Sequence, residues 1–195
     1  GQGGVTTEGT NVTITGTGTS GDPYVVNALS SCGLSIGDTY QGGIIFYLDP
    51  SGCHGLVCAL TDQSFGAAWD DVLTSDGTDI SWAYGSGLFE GKYNTKLINW
   101  SQGGSTSAAA ICAAYSVGSF NDWYLPSIEE LNKMYLNIGQ GNALGLTNIG
   151  GFSDWVYWSS TETADDGAWR QDFGSGGQVI NVKDYIFIVR AVRAF

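Results

Sequence analysis

Glycine punctuates this chain from end to end. Thirty glycines against three prolines suit short strands joined by tight turns, because glycine enters the positive-φ conformations of such turns without steric cost. Aromatic residues make up 13% of the chain and supply large side chains for a core, so the composition is that of a folded domain. A length of 195 residues accommodates one well-buried domain with a short extension, since single domains commonly run to about 150 residues.

Charge narrows the partners. Nineteen acidic residues against seven basic ones give a net charge of -12, a surface that repels phosphate backbones and heparin-like polyanions. No nucleic acid is therefore expected as a partner, and neutral sugars, proteins and cation-assisted binding remain, with calcium the natural counter-ion. No apolar run approaches the roughly 20 residues of a membrane span, so membrane insertion is not expected. Gly1 is neither an initiator Met nor the start of a signal sequence, and the chain reads as processed or cut from something longer.

Cys32, Cys53, Cys58 and Cys112 form an even set that, with the low lysine content, fits an oxidising compartment. The expected pairing joins Cys53 to Cys58 around His54, Gly55, Leu56 and Val57, and Cys32 to Cys112, tying the start of the domain to a helix. The alternative leaves Cys112 as a buried thiol in the alanine-rich run 108–114. Zinc is disfavoured, because the spacings form no two close Cys-x-x-Cys pairs and His54 is the single histidine.

Residues 1–27 are dominated by Thr, Gly and Val. Val12 and Ile14 alternate with threonines at a period of two, Ser20, Gly21, Asp22 and Pro23 supply a turn, and residues 24–26 form a second strand. Two short strands make no stable core, so this segment reads as a stalk or linker end that packs on its own domain, on a neighbour or on a preceding part of a fibre. The domain proper occupies residues 28–195. The apolar run 44–48, the turn at Asp49, Pro50, Ser51 and Gly52, and residues 55–60 carry a hairpin signature. Residues 62–99 lack a sustained period and read as long loops anchored to the core by Trp69 and Trp82.

Two helices follow. Ser105, Thr106 and Ser107 cap an alanine-rich run ending near Tyr115, with Gly118 in the turn beyond it. Ser127 and Glu130 form a capping box ahead of Ile128, Leu131, Tyr135 and Ile138, which predicts a helix over 128–137. From Val156 the chain returns to strands at 156–161, 168–173 and 178–182, with a hairpin turn at 174–177. The continuous apolar run 186–192 predicts a central strand.

Four ordered motifs carry a resemblance. Asn121-Asp122-Trp123-Tyr124-Leu125-Pro126-Ser127-Ile128-Glu129-Glu130-Leu131, then Tyr157-Trp158-Ser159-Ser160-Thr161-Glu162, then Ala168-Trp169 with Phe173, and Val189-Arg190-Ala191-Val192-Arg193 resemble the C-terminal domain of the Legionella collagen-like adhesin in order and spacing. The likeness covers roughly residues 32–195, and the Thr/Gly-rich start resembles spacers of large bacterial surface proteins and phage tail fibres. The resemblance implies an α+β domain of the C-type-lectin-like kind, in which two helices flank a small twisted antiparallel sheet, the ends come together and long loops form the variable face. It implies a non-enzymatic adhesion or receptor-binding domain at the cell surface, outside the cell or on a virion tail, that recognises a cell-surface glycan or protein. The alternative is a structural fibre subunit that self-associates through residues 1–27. Polyanion binding, a property of the named adhesin, is not carried over to a chain this acidic.

Trp123, Leu125, Pro126, Trp158 and residues 159–161 are expected to hold core and loops together. Arg190 and Arg193 lie in an apolar strand and need carboxylate or carbonyl partners, with Glu130 and Glu162 the candidates. Cys53 beside His54 suggests nucleophilic catalysis only if Cys53 is a free thiolate, and a disulfide removes that chemistry. Asp70, Asp71, Asp76, Asp79, Asp165 and Asp166 sit in glycine-rich loop sequence. There they act as calcium ligands or as a solvated acidic surface. Trp155, Tyr157, Trp169, Gln171, Asp184 and Tyr185 are the candidate ligand-binding set, weighed against core packing, because aromatic faces stack on sugar rings while amides and carboxylates orient hydroxyls.

Overall fold

Where threonine alternates with β-branched residues near the N-terminus, the chain is strand. In the computed structural model, which describes residues 12–28, 32–70, 81–102, 106–164 and 166–195, β1 (Val12–Thr15) pairs antiparallel with β2 (Val25–Ala28) as a two-stranded sheet of its own. The Thr17 N–H donates to both the carboxylate and the carbonyl of Asp22, closing the turn between them. Gly18, at φ +77°, is required here, since a Cβ would stand 2.4 Å from the Tyr24 ring.

The expected hairpin forms next. β3 (Thr39–Tyr40), β4 (Gly43–Leu48) and β5 (Gly55–Ala59) run antiparallel, after which β6 (Ser64–Ala67) leaves for a second sheet. Three helices then follow: α1 (Gly91–Gln102), α2 (Ala108–Ala114) and α3 (Ile128–Ile138). Ser107 caps α2, its side chain accepting from the Ala110 N–H, and the capping box of α3 is complete in both directions between Ser127 and Glu130. Among the described residues no helix is long and apolar enough to cross a membrane.

Helix α1 corrects the reading of residues 62–99 as loops. Its inner face is Gly91, Asn94, Thr95 and Ile98, all buried, at helical spacing but mostly polar, so hydrophobic periodicity does not reveal it. Gly91 belongs there because a Cβ would meet the Glu130 carboxylate at 2.3 Å and the Leu125 carbonyl at 2.7 Å.

Strands β7 (Val156–Ala164), β8 (Gly167–Asp172) and β9 (Gln178–Val182) form the expected antiparallel meander. The single terminal strand expected over 186–192 is instead two, β10 (Phe187–Val189) and β11 (Val192–Ala194), in different sheets. Among the described residues the architecture is therefore α+β with three helices and two main sheets, ordered β6-β10-β7-β8-β9 and β11-β5-β4-β3, with β10 parallel to β7. Alternation sends Ile45 and Val57 to one face of the β4–β5 pair with Ile98 of α1 and Cys112 of α2. Phe46 and Leu56 go to the other with Leu131, Met134 and Ile138 of α3.

The chain crosses between sheets at Arg190 and Ala191. Arg190 is buried, with Nε 2.6 Å from the Asp62 carboxylate and Nη1 donating to the carbonyls of Ala59 and Gly150 at 2.8 and 3.1 Å. Its partner is thus Asp62, and that of Arg193 is Asp122, rather than Glu130 or Glu162. The disulfide expectation is also corrected: Cys32 bonds to Cys53, while Cys58 and Cys112 are buried free thiols. Cys58 cannot reach the turn because β5 points it into the core between Ile44 and Val192, its register partners.

Trp123, Leu125 and Trp158 are buried, as expected for scaffold positions, and the Trp158 Nε1–H donates to the Ala67 carbonyl at 3.0 Å. Replacing Trp158 by Ala should destabilise the domain by about 3–5 kcal/mol, whereas Trp155→Ala, on the surface, should change stability by less than about 0.5 kcal/mol. Denaturant melts of the two variants check this difference.

Candidate functional site

The expected ligand-binding set divides on inspection. Tyr157 and Gln171 are cross-strand partners and both buried, which corrects their assignment to a binding surface. The Tyr157 hydroxyl donates to Asp62 and accepts from the Ser153 N–H, and Gln171 Nε2 donates to Asn132 Oδ1 and the Gly176 carbonyl. Trp169 is half-buried opposite Ile180. Trp155, Asp184 and Tyr185 are exposed, with the Tyr185 ring 5.8 Å from that of Phe187. Of the acidic set, Asp71, Asp76, Asp79 and Asp165 lie outside the described residues. Asp70 is half-buried and Asp166 exposed, and among the described residues no three His, Cys, Asp or Glu side chains cluster as metal ligands would.

A different surface emerges at residues 81–90. Ser81 and Ala83 point inward, and between and beyond them Trp82 and Tyr84 point out, at 67% and 44% exposure, with rings 6.1 Å apart edge to face. Trp82 is therefore not the core anchor expected of it, a role that Trp69 fills by donating Nε1–H to the Ser159 carbonyl at 2.7 Å. Trp82 and Phe89 hold φ of +62° and +68°, a region bulky L side chains rarely occupy, at a cost of about 1–3 kcal/mol each.

Such strain persists only where the surroundings over-determine the backbone, and here they do. The buried Glu162 carboxylate accepts from the N–H groups of Ser81 and Ala83 and from the Ser81 hydroxyl, and it pairs with buried Lys183 at 2.5 Å. Asn94 clamps Gly85 on both sides, Oδ1 accepting its N–H and Nδ2 donating to its carbonyl at 2.6 Å. The Thr161 and Ser127 hydroxyls donate to the carbonyls of Gly85 and Gly87, at 2.8 and 2.7 Å. Glu130 takes the Phe89 N–H at 2.8 Å. The loop is thus fixed from β7, α1 and the N-terminus of α3 together, and it presents two aromatic rings on a rigid backbone, with Glu90 and Glu129 beside Gly85 and Gly87. No cue in the sequence marks Trp82 and Tyr84 apart from their alternation with small residues.

Burial pushes the Glu130 carboxyl up to about 7, against the Ser127, Phe89 and Gly91 backbone donors and the Tyr124 hydroxyl, which favour its ionised form. Burial and the Glu130 charge likewise raise the Tyr124 hydroxyl. Burial raises the Cys58 thiol to about 11 and the Cys112 thiol well above its usual value.

Glu130 holds its proton to higher pH when folded than its ordinary value of 4.5, so the folded state binds more protons between about 4.5 and 7, and stability declines as pH rises through that window. Melting temperatures measured across it should fall with pH in the native chain, and less steeply in Glu130→Gln. Equal slopes would sink the assignment.

A family model described as the Lcl C-terminal domain matches residues 59–193. No curated protein matches the chain. Among solved structures, a fimbrial protein from Bacteroides ovatus ATCC 8483 superposes with a TM-score of 0.54 at 15% identity, over 83% of this chain and 49% of that one. That likeness is one of fold, and the chain spans about half the length of the fimbrial structure.

Proposed function

Because the chain belongs to the Lcl C-terminal domain family, we propose that it is an extracellular adhesion or receptor-binding domain whose C-type-lectin-like head holds a cell-surface glycan or protein without transforming it. The observation that carries this reading is the 81–90 loop. Residues of two family motifs, Ser127 and Glu130 in one and Thr161 and Glu162 in the other, hold that loop rigid while Trp82 and Tyr84 face solvent. A preorganised aromatic pair gains contact area with little loss of conformational freedom on binding, and flanking carboxylates accept hydrogen bonds from sugar hydroxyls. The C-type-lectin-like assignment is supported by the pairing of β11 with β5 and by the mutual backbone bonds of Gly55 and Phe195, which bring the end of the domain back to its beginning.

The cysteines speak against thiol catalysis in particular. Cys53, beside His54, is spent in a disulfide, and Cys58 and Cys112 are buried with raised thiol pKa values, so none presents the accessible thiolate a nucleophile needs. The disulfide also agrees with an oxidising location. A fibre subunit assembled through the N-terminal hairpin is the second reading, supported by the β1–β2 sheet, which two strands alone do not stabilise.

Glycan-array and cell-binding measurements on the full chain test the site. Trp82→Gly removes the ring at a φ that glycine adopts freely, so the variant should melt close to the native temperature while losing roughly tenfold or more in affinity. Binding lost in Trp155→Ala and Tyr185→Ala but intact in Trp82→Gly would move the site to the C-terminal loops. Calcium is part of the proposal through Asp70, Asp71, Asp76, Asp79, Asp165 and Asp166. Adding it to the chelator-treated chain should raise the melting temperature, and an unchanged value would retire that role.

A further inference from the structure

Strand β9 is the outermost strand of the five-stranded sheet, in unbroken register with β8 from Gly167 opposite Val182 to Gln171 opposite Gln178. The Lys183 N–H donates to the Asp166 carbonyl at one end of this ladder and the Asp172 N–H to the Gly177 carbonyl at the other. Bonded and non-bonded pairs alternate in an antiparallel ladder, so Val179 and Asn181 bond inward to β8. The N–H and C=O groups of Gln178 and Ile180 and the N–H of Val182 face the open edge, while the Val182 carbonyl accepts from the Tyr185 N–H at 3.2 Å in the turn that follows.

Natural sheet edges are blunted by charge, proline, bulges or shortness. The other edges of the two sheets show such devices: β3 and β11 have two and three residues, and β6 meets β10 with a register shift. Strand β9 has none of them. Its five residues, Gln178, Val179, Ile180, Asn181 and Val182, carry no charge and no proline, and Val179, Ile180 and Val182 are all exposed.

We propose that this edge receives a second copy of the same chain, β9 against β9, antiparallel about a two-fold axis at Ile180. The outward-facing positions are symmetric about that residue. In this register Ile180 meets its own counterpart and Gln178 meets Val182, so the outward N–H and C=O of Gln178 and Ile180 and the N–H of Val182 find partners, the Val182 carbonyl accepting a second bond beside that of Tyr185. The two-fold also sets Ile180 and Val182 of both copies on one face of a sheet that runs through the pair, beside the half-buried Trp169. For a second copy, charge favours this edge over the rest of the surface. Two chains of net charge -12 repel over most of their surfaces, and an uncharged strand is where they approach at least cost, while an ionic partner finds nothing on β9 to pair with. The contact is isologous, so it closes as a dimer and does not propagate.

Sedimentation equilibrium of the full chain across the micromolar range reads the association. Native chain should pass from monomer to dimer with concentration. Ile180→Pro deletes one outward N–H and leaves the β8 bonds of Val179 and Asn181 in place, so it should raise the dissociation constant roughly tenfold or more with an unchanged melting curve. Ile180→Lys, which sets two like charges against each other on the axis, should do the same if the proline variant fails to fold. Ile180→Cys should cross-link on mild oxidation, since directly bonded antiparallel residues lie about 5.5 Å apart at Cα, and Val179→Cys, displaced from its counterpart, should not. A native chain monomeric at every concentration overturns the proposal. So does a dimer indifferent to Ile180→Pro and Ile180→Lys, or one lost instead on Val25→Pro in the N-terminal hairpin.

Discussion

A carboxylate taken out of water has to be met by donors, and among the described residues the buried carboxylates of Asp62, Glu130 and Glu162 each tie distant parts of the chain together. Asp62 takes Arg190 and the Tyr157 hydroxyl where the chain passes from one sheet to the other. Glu130 closes the cap of α3 and at the same time takes the Phe89 N–H, 41 residues away in sequence. Glu162 collects Ser81, Ala83 and Lys183. Removing any one of the charged partners would leave a buried group unpaired, which is far costlier than losing a surface ion pair.

These ties explain why the motif residues look structural and still bear on function. None of Ser127, Glu130, Thr161 and Glu162 is exposed, so none can touch a ligand directly. Their donors and acceptors are instead spent on the 81–90 backbone, holding Trp82 and Phe89 in conformations that free chain would leave. The strain is offset by hydrogen bonds formed in a low-dielectric interior, where each is stronger than in water. Order in a loop of this kind is a property of the elements beneath it.

Legibility in the sequence followed the range of the interaction. The capping box of α3, the Ser107 cap of α2, the β4–β5 hairpin and the β7–β9 meander rest on contacts within a few residues, and each could be read directly. Helix α1 was hidden because its buried face is Asn94, Thr95 and Gly91 as much as Ile98, polar groups that are tolerable inside only because Gly85, Ser160 and Leu125 satisfy or accommodate them. The disulfide was misassigned for the same reason, since nearness along the chain says nothing about which face of β5 Cys58 occupies.

What the sequence determined by itself was the class of molecule: a glycine-turned α+β domain, acidic, with family motifs that mark its second half as a scaffold. Tertiary structure alone decided which aromatics serve as core and which as surface. Trp69 and Trp82 are the same residue in similar loop sequence, yet one is enclosed between packed elements and the other held outside them. Burial is set by the elements that converge on a residue from distant parts of the chain, and no local pattern encodes that convergence.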